Sequence, residues 1–414
     1  MTDRFASLRN SISEFHGRAI WVALGCLICQ MGLGLTYIRT GMAVDLVEGL
    51  HLTRSELSSV ALPQLIFQSL ASPLVGWLTV RLGASRVLAA AATLFAFVFF
   101  GFSRIDSLTG LYVVIAGVGL CAAGMGDITV GHVISQWFKK NRGLALGIAY
   151  AGSNLGGSLI VAIVAGVAAE ASWREGMMAV IPIALFILLP TALFMIRDPN
   201  AAESAERTES DAQVLAEPED DLDLRSALRT RSFWILTATL FSFFFYFTGV
   251  LDAFVLFLVD AGLSKEEAIT AFRQAIGLGV VSKILGGFFS DRIPRLRAMQ
   301  VVYVLLAMSS LVLLALPHPA LLVVFIFSFG FAQACRDVVY PLVLGGCFGD
   351  RYLGEIYGAM TLTLLPGGAL GPMFAALLRE ELGSYDEAFA VFAALNVSAV
   401  AALFFVRNER PTLA

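Results

Sequence analysis

The chain has 414 residues, 58% of them hydrophobic and 14% charged, with a mean hydropathy of +0.80 and a formal net charge of −4. A soluble globule of this length carries far less apolar sequence, so the lipid bilayer is the expected surrounding. The weak net charge comes with no basic arm and no interleaving of basic with aromatic residues, which excludes nucleic acid as an expected partner.

The first residues, MTDRFASLRNSISEFHGR, are polar and contain neither a signal-peptide core nor a cleavage site, so the first apolar helix is expected to stay as an anchor. Stretches apolar enough to cross about 30 Å of hydrocarbon, roughly 20 residues each, then follow in chain order. They lie at 19–44, 56–80, 85–102, 109–136, 143–168, 177–196, 231–259, 267–289, 298–316, 320–347, 354–379 and 387–406. The expected fold class is an all-α membrane protein of twelve transmembrane helices. Cys26 and Cys29 in the first stretch form a CxxC without a second pair or a nearby His. Small packed helix residues are the expected role there, and no metal or other cofactor is expected.

One long polar segment, from Arg197 to about Arg229 with the acidic run EPEDDLDL, separates six spans from six. It reads as a flexible linker. The expected organisation is a six-helix bundle over 1–196, a cytoplasmic linker over 197–230 and a second six-helix bundle over 231–414. Arg4, Arg9, Arg18, Arg81, Arg86, Lys139, Lys140, Arg142, Arg292, Arg295, Arg297, Arg351, Arg407 and Arg410 fall on one face of this map. The other face has only Arg54, Arg104, Arg174, Lys265 and Arg379. The positive-inside rule places both termini in the cytoplasm, for a multi-pass protein of the plasma (inner) membrane.

The halves echo one another. GWLTVRLGASR, from Gly76, and GFFSDRIPRLR, from Gly287, share Gly, Arg and Arg at a constant offset of 211, which NLGG at 154–157 and LPGG at 365–368 keep. Duplicated six-helix bundles related by pseudo-symmetry put a binding site between them near the bilayer midplane, reached alternately from each side. That is the organisation of a transporter.

These loops resemble the signature of the major facilitator superfamily, G-x-x-x-D-R-x-G-R-R-x, between spans two and three and again between eight and nine. The resemblance implies an inner-gate motif at Gly76, Arg81 and Arg86 and at Gly287, Asp291 and Arg292, with Val80 standing where the family usually has Asp. Within the superfamily, QWFKKNRGLALGIAYAGSNLGG (136–157) and FLVDAGLSKEEA (257–268) followed by SKILGGFFSDR (282–292) are similar to monocarboxylate and oxalate/formate-type carriers. In those carriers an arginine four residues before the loop glycine binds the substrate carboxylate. The matching position is Lys283, which keeps the charge but loses the planar fork of a guanidinium. The aspartate often found one turn earlier is Gly279.

Charged side chains within spans are expensive and are functional candidates until paired. Lys283 lies about 12 Å in from the cytoplasmic end of its span at 1.5 Å per residue. Asp127 in span four and Arg336 with Asp337 in span ten lie at similar depth, and the resemblance implies that spans one, four, seven and ten line the cavity. Snorkelling is the alternative for Lys283, and a structural ion pair the alternative for Arg336, Asp337 and Asp127. Arg39, Asp252 and Arg273 form a second group nearer the outer face, expected as a vestibule or gate. Together the two groups leave one positive charge in excess. Tyr37, Gln64, Gln68, Tyr150, Asn154, Tyr246, Tyr340 and Tyr357 are candidates for orienting hydrogen bonds to a substrate held by Lys283 and Arg336.

The expected function is secondary transport of a small organic anion, a mono- or dicarboxylate, by alternating access. Asp127 or Asp337 is expected to take up the coupling proton, and the protein is expected to act as a monomer. The alternative is a proton-driven exporter of drugs or metabolites of the same superfamily. Such exporters resemble a pattern with an arginine high in span four and Gly-Pro-x-x-Gly-Gly in span five, whereas LYVVIAGVGLCAAG lacks the Arg and GSNLGG has Ser153 in place of Pro. No nucleophile-base or metal-ligand constellation suggests an enzyme.

Overall fold

A computed structural model describes residues 17–138, 142–197, 221–290, 293–316, 318–349 and 352–410. Eleven helical segments are long and apolar enough to cross a membrane: α1 (Arg18–Gly41), α3 (Ala84–Phe102), α4 (Leu108–Trp137), α5 (Gly143–Glu170), α6 (Trp173–Phe194), α7 (Arg231–Asp260), α8 (Lys265–Ser290), α9 (Arg295–Leu313), α10 (Ala320–Phe348), α11 (Ile356–Leu382) and α12 (Asp386–Leu403). The twelfth span, α2 (Ala61–Leu82), covers 22 residues and holds Gln64, Gln68 and Pro73. Twelve helices thus stand where the apolar stretches lie.

Alternation of direction places the start of α1 and the end of α12 at one end of the bundle, called here the terminus-bearing end. Part of the expected linker is ordered against it. The Leu222 amide donates to the Phe348 carbonyl at 2.9 Å, and Leu224–Ala227 forms a helical turn capped by Asp223.

The halves meet along two seams, α5 against α8 and α2 against α11. Glycine sets the closeness of the first. A Cβ on Gly147 would lie 2.7 Å from the Lys283 carbonyl oxygen, and one on Gly287 2.9 Å from that of Gly143. Within the first half, Gly152 and Gly156 of α5 press on the carbonyls of Leu27 and Met31 of α1. Gly156→Leu is expected to destabilise the purified protein by about 2–3 kcal/mol, the cost of overpacking a close contact. A lower denaturation midpoint in detergent would show it.

Helix breaks occur at depth. Gly126 is extended (φ −77°, ψ −169°) between Leu108–Met125 and Asp127–Trp137, so Asp127 begins a new helix in the middle of α4. A carboxylate in a first helical turn is stabilised by the exposed N–H groups there. In α1, Gly32–Tyr37 is wound as a 3-10 helix.

The end remote from the termini is latched between halves. Asp45 meets Lys265 at 2.5 Å, and Arg54 meets Asp260 at 2.6 Å and the Tyr385 hydroxyl at 2.9 Å. Ser55 donates to Glu380 at 2.7 Å. Among the described residues, every ion pair joining the halves belongs to this end, including Arg39 with Asp252 one layer deeper.

Candidate functional site

Lys283 turns inward from α8. Its side chain is 6% exposed, and Nζ donates to the Ser153 hydroxyl at 2.9 Å and to the Tyr150 carbonyl at 3.2 Å, both on α5. The same nitrogen lies 3.2 Å from Asp337 Oδ2 on α10. The amine faces protein groups at depth, which answers the snorkelling alternative.

Asp337 is shared. Its other oxygen lies 3.7 Å from Nη2 of Arg336, whose side chain is 3% exposed. The Arg336 guanidinium carbon sits 4.0 Å from the Phe243 ring centroid, 5.2 Å from that of Phe244 and 5.4 Å from that of Tyr340. Its Nε and Nη1 are buried without a hydrogen-bond partner among the described residues. Ring faces attract a guanidinium but leave those N–H groups unbonded. Two buried cations therefore divide one carboxylate, and two donors stay open.

Asp127 completes the cluster from α4. Gln30 of α1 donates to its carboxylate at 2.6 Å, and the Tyr150 hydroxyl donates to its backbone carbonyl at 3.2 Å. Asp127 is solvent-exposed although it lies within Coulombic reach of Lys283, Asp337 and Arg336. Tyr37 lies within Coulombic reach of both aspartates, and Tyr357 is hydrogen-bonded to Arg336. Helices α1, α4, α5, α8 and α10 all contribute, so the cluster spans the halves.

The expected surplus of positive charge is not in this cluster. Lys283 and Arg336 stand against Asp127 and Asp337, which is formally neutral when both acids are ionised. Arg39 and Asp252 hold each other through a hydrogen bond of 2.6 Å from Nη1 to Oδ2 and an ion-pair contact between Nη2 and Oδ1. The remaining cation, Arg273, does not join them. Its Nε donates to the Ser158 carbonyl at 3.1 Å, and it lines a separate crevice of about 350 Å³ with Thr270, Gln274 and Gly277. Ten residues along an α-helix turn Arg273 about 80° away from Lys283 at 3.6 residues per turn. Counting charges by depth cannot register that rotation.

The polar candidates divide. Tyr37, Tyr150 and Tyr357 stand at the cluster, and Tyr340 presents its ring to Arg336 while its hydroxyl donates to the Leu236 carbonyl at 2.9 Å. Asn154 ties α5 to α8, donating to the Ile276 carbonyl at 3.0 Å. Tyr246 is elsewhere, fully buried, with its hydroxyl 2.7 Å from that of Ser309 and its ring between Phe329 and Phe392. Gln30, Ser153, Phe243 and Phe244 reach the cluster without having been singled out in the sequence. Ser153 follows from its neighbour: Lys283 facing Tyr150 also meets the residue one turn further along α5.

Of the inner-gate residues, Arg81 lies over the Trp77 ring at 5.0 Å, Arg86 donates to the Leu82 carbonyl at 3.4 Å, Gly76 faces Ile128, and Gly287 makes the α5 contact given above. Asp291 and Arg292 lie outside the described residues. Among the described residues, no group of three His, Cys, Asp or Glu could hold a metal ion.

Comparison with known sequences decides the family. The family described as Major Facilitator Superfamily matches residues 22–335 and 275–414. The chain belongs to the Major Facilitator Superfamily. It is a transporter of that superfamily, not an enzyme, and resembles oxalate/formate-type carriers. It is 26% identical over 395 residues, 89% of each chain, to a protein of Cupriavidus necator described as a probable sulfoacetate transporter. It is 24% identical to the oxalate:formate antiporter of Oxalobacter formigenes, over 95% of this chain and 93% of that one. A bacterial homologue of the human lysosomal transporter Spinster, whose structure is solved, shares the superfamily fold with a TM-score of 0.70 at 17% identity, over 96% of this chain and 100% of that one.

Proposed function

We propose that this superfamily member is a secondary active transporter of a small organic anion, a carboxylate, moved together with protons by alternating access between two bundles. The observation that carries the reading is the sharing of Asp337 by two buried cations, one of which keeps two unbonded N–H groups. A buried donor left open is costly, and an incoming carboxylate accepts from an open donor of Arg336 while drawing Lys283 from Asp337. The relatives support the same charge class, since their names give sulfoacetate and oxalate or formate as cargo.

Charge balance ties the anion to a proton. The empty cluster is neutral with both aspartates ionised. A proton on Asp127, the exposed acid, brings it to a net charge of one, and a monocarboxylate restores neutrality. Empty and fully loaded states then cross the membrane core without a net charge, and half-loaded states carry one that is expensive to bury. The latched end faces outward in this reading, the terminus-bearing end faces the cytoplasm of a plasma membrane, and the accessible Asp127 marks an inward-open path. The working unit is a monomer.

Proteoliposome uptake of a labelled carboxylate tests the coupling. The parent is expected to accelerate as external pH falls below internal pH. Asp127→Asn is expected to keep carboxylate exchange within about threefold yet lose at least tenfold of gradient-driven uptake, since each tenfold corresponds to about 1.4 kcal/mol of coupling. Undiminished acceleration in Asp127→Asn would move the proton to another group.

A further inference from the structure

A cavity of about 190 Å³ lies between the halves, walled by α1, α2, α7 and α11. The Arg39–Asp252 pair forms part of its wall. Tyr37 and Phe244 line it and also border the charge cluster, Tyr37 within Coulombic reach of both aspartates and Phe244 with its ring centroid 5.2 Å from the Arg336 guanidinium carbon. The cavity thus adjoins the cluster along Tyr37 and Phe244. Its walls are mainly apolar, with Leu65, Phe247 and Leu251 prominent, and Gln64 and Gln68 place amide groups on one side.

Resting on the anion reading above, we propose that the cargo is a monocarboxylate with an apolar body the size of a benzene ring, aryl or branched alkyl. Its carboxylate lies on Arg336 and Lys283, and its body fills this cavity. Size supports it, because an apolar cavity of about 150 Å³ is enough to take benzene. Charge supports it as well. Arg39 lines the cavity with its Nε unbonded among the described residues, but Asp252 already balances its charge, so a second anionic group in the body would face leucine and phenylalanine without an uncompensated cation. The cargo class therefore differs from the two-anion cargoes that the relatives' names include. A hydroxyl or keto substituent is accommodated at Gln64 and Gln68.

Uptake of labelled phenylacetate, acetate and oxalate by proteoliposomes, with the parent, Lys283→Ala, Thr248→Phe and Leu251→Phe, tests the assignment. Thr248 and Leu251 line the cavity one turn apart on α7, outside the charge cluster. The parent is expected to show kcat/KM for phenylacetate at least tenfold above that for acetate, with oxalate below both. Each filling variant is expected to lose at least tenfold on phenylacetate and to stay within twofold on acetate, which also shows that the variant folds. Preference for acetate or oxalate over phenylacetate, indifferent to both fillings, overturns the size assignment and leaves the anion reading standing. Absence of Lys283-dependent uptake of all three acids overturns both.

Discussion

Lys283→Ala is expected to lower kcat/KM for carboxylate uptake at least a hundredfold, equivalent to about 2.7 kcal/mol at 1.36 kcal/mol per tenfold. The amine makes contacts to Ser153, Tyr150 and Asp337 in a nearly closed environment. Truncating one member of a buried hydrogen-bonded charge group removes its attraction and leaves the partners exposed to each other. In the alanine variant Arg336 is the sole cation opposing Asp337 and Asp127. The cluster then carries a net charge of minus one when empty, and a carboxylate enters against it. Lys283→Arg is expected to recover part of the activity, because charge is restored while the guanidinium must fit where a slim ammonium lay between α5 and α10. Uptake in reconstituted vesicles checks both variants, with thermal denaturation as the control for folding.

The second large effect concerns Asp252. Its side chain is 4% exposed and that of its partner Arg39 is 9% exposed. Asp252→Ala is expected to destabilise the protein by about 3–5 kcal/mol, because it strands a guanidinium at depth without a counter-charge. The double variant Arg39→Leu/Asp252→Leu is expected to recover most of that loss, since buried ion pairs repay little beyond their own desolvation. Denaturation midpoints of the two single variants and the double variant give the comparison. If Asp252→Ala melts with the parent, the pair is not closed to water in the dominant state.

Much of this architecture can be read from sequence because the bilayer is a severe constraint. Hydropathy locates eleven of the spans, since a stretch such as Arg231–Asp260 has no other place to put so many phenylalanines. The expense of intramembrane charge likewise singles out Lys283, Asp127, Arg336 and Asp337 before any geometry is known. Depth was legible and direction was not. Arg273 and Lys283 share α8, yet helix rotation sends one to the crevice beside Ser158 and the other to Asp337. Tyr246 and Phe243 stand three residues apart in FFFYF, and the run has no polar face from which to read orientation; Phe243 meets Arg336 and Tyr246 meets Ser309. The pairing of Arg39 with Asp252 crosses 213 residues of chain, and that of Gln30 with Asp127 crosses 97. Such partners become visible only once the helices are assembled.

The partition of charge matters more than its sum. A surplus counted over the whole cavity suggested an anion, but the folded cluster is neutral, and attraction for an anion comes from how the cations are bonded. One carboxylate serves Lys283 and Arg336 together, and aromatic rings occupy the guanidinium face without meeting its N–H groups. In the proposed cycle, neutrality of the empty site also gives the proton its role, since a charged empty carrier would return slowly.

The most direct measurement compares a carboxylate with its own amide, phenylacetate against phenylacetamide, in proteoliposomes of the parent protein and of Lys283→Ala. The two solutes match in shape and differ in charge. Saturable uptake of the acid that needs Lys283, with no carrier-dependent flux of the amide, is the predicted result. Equal flux of acid and amide, unchanged in Lys283→Ala, would contradict an anion site at Lys283 and Arg336.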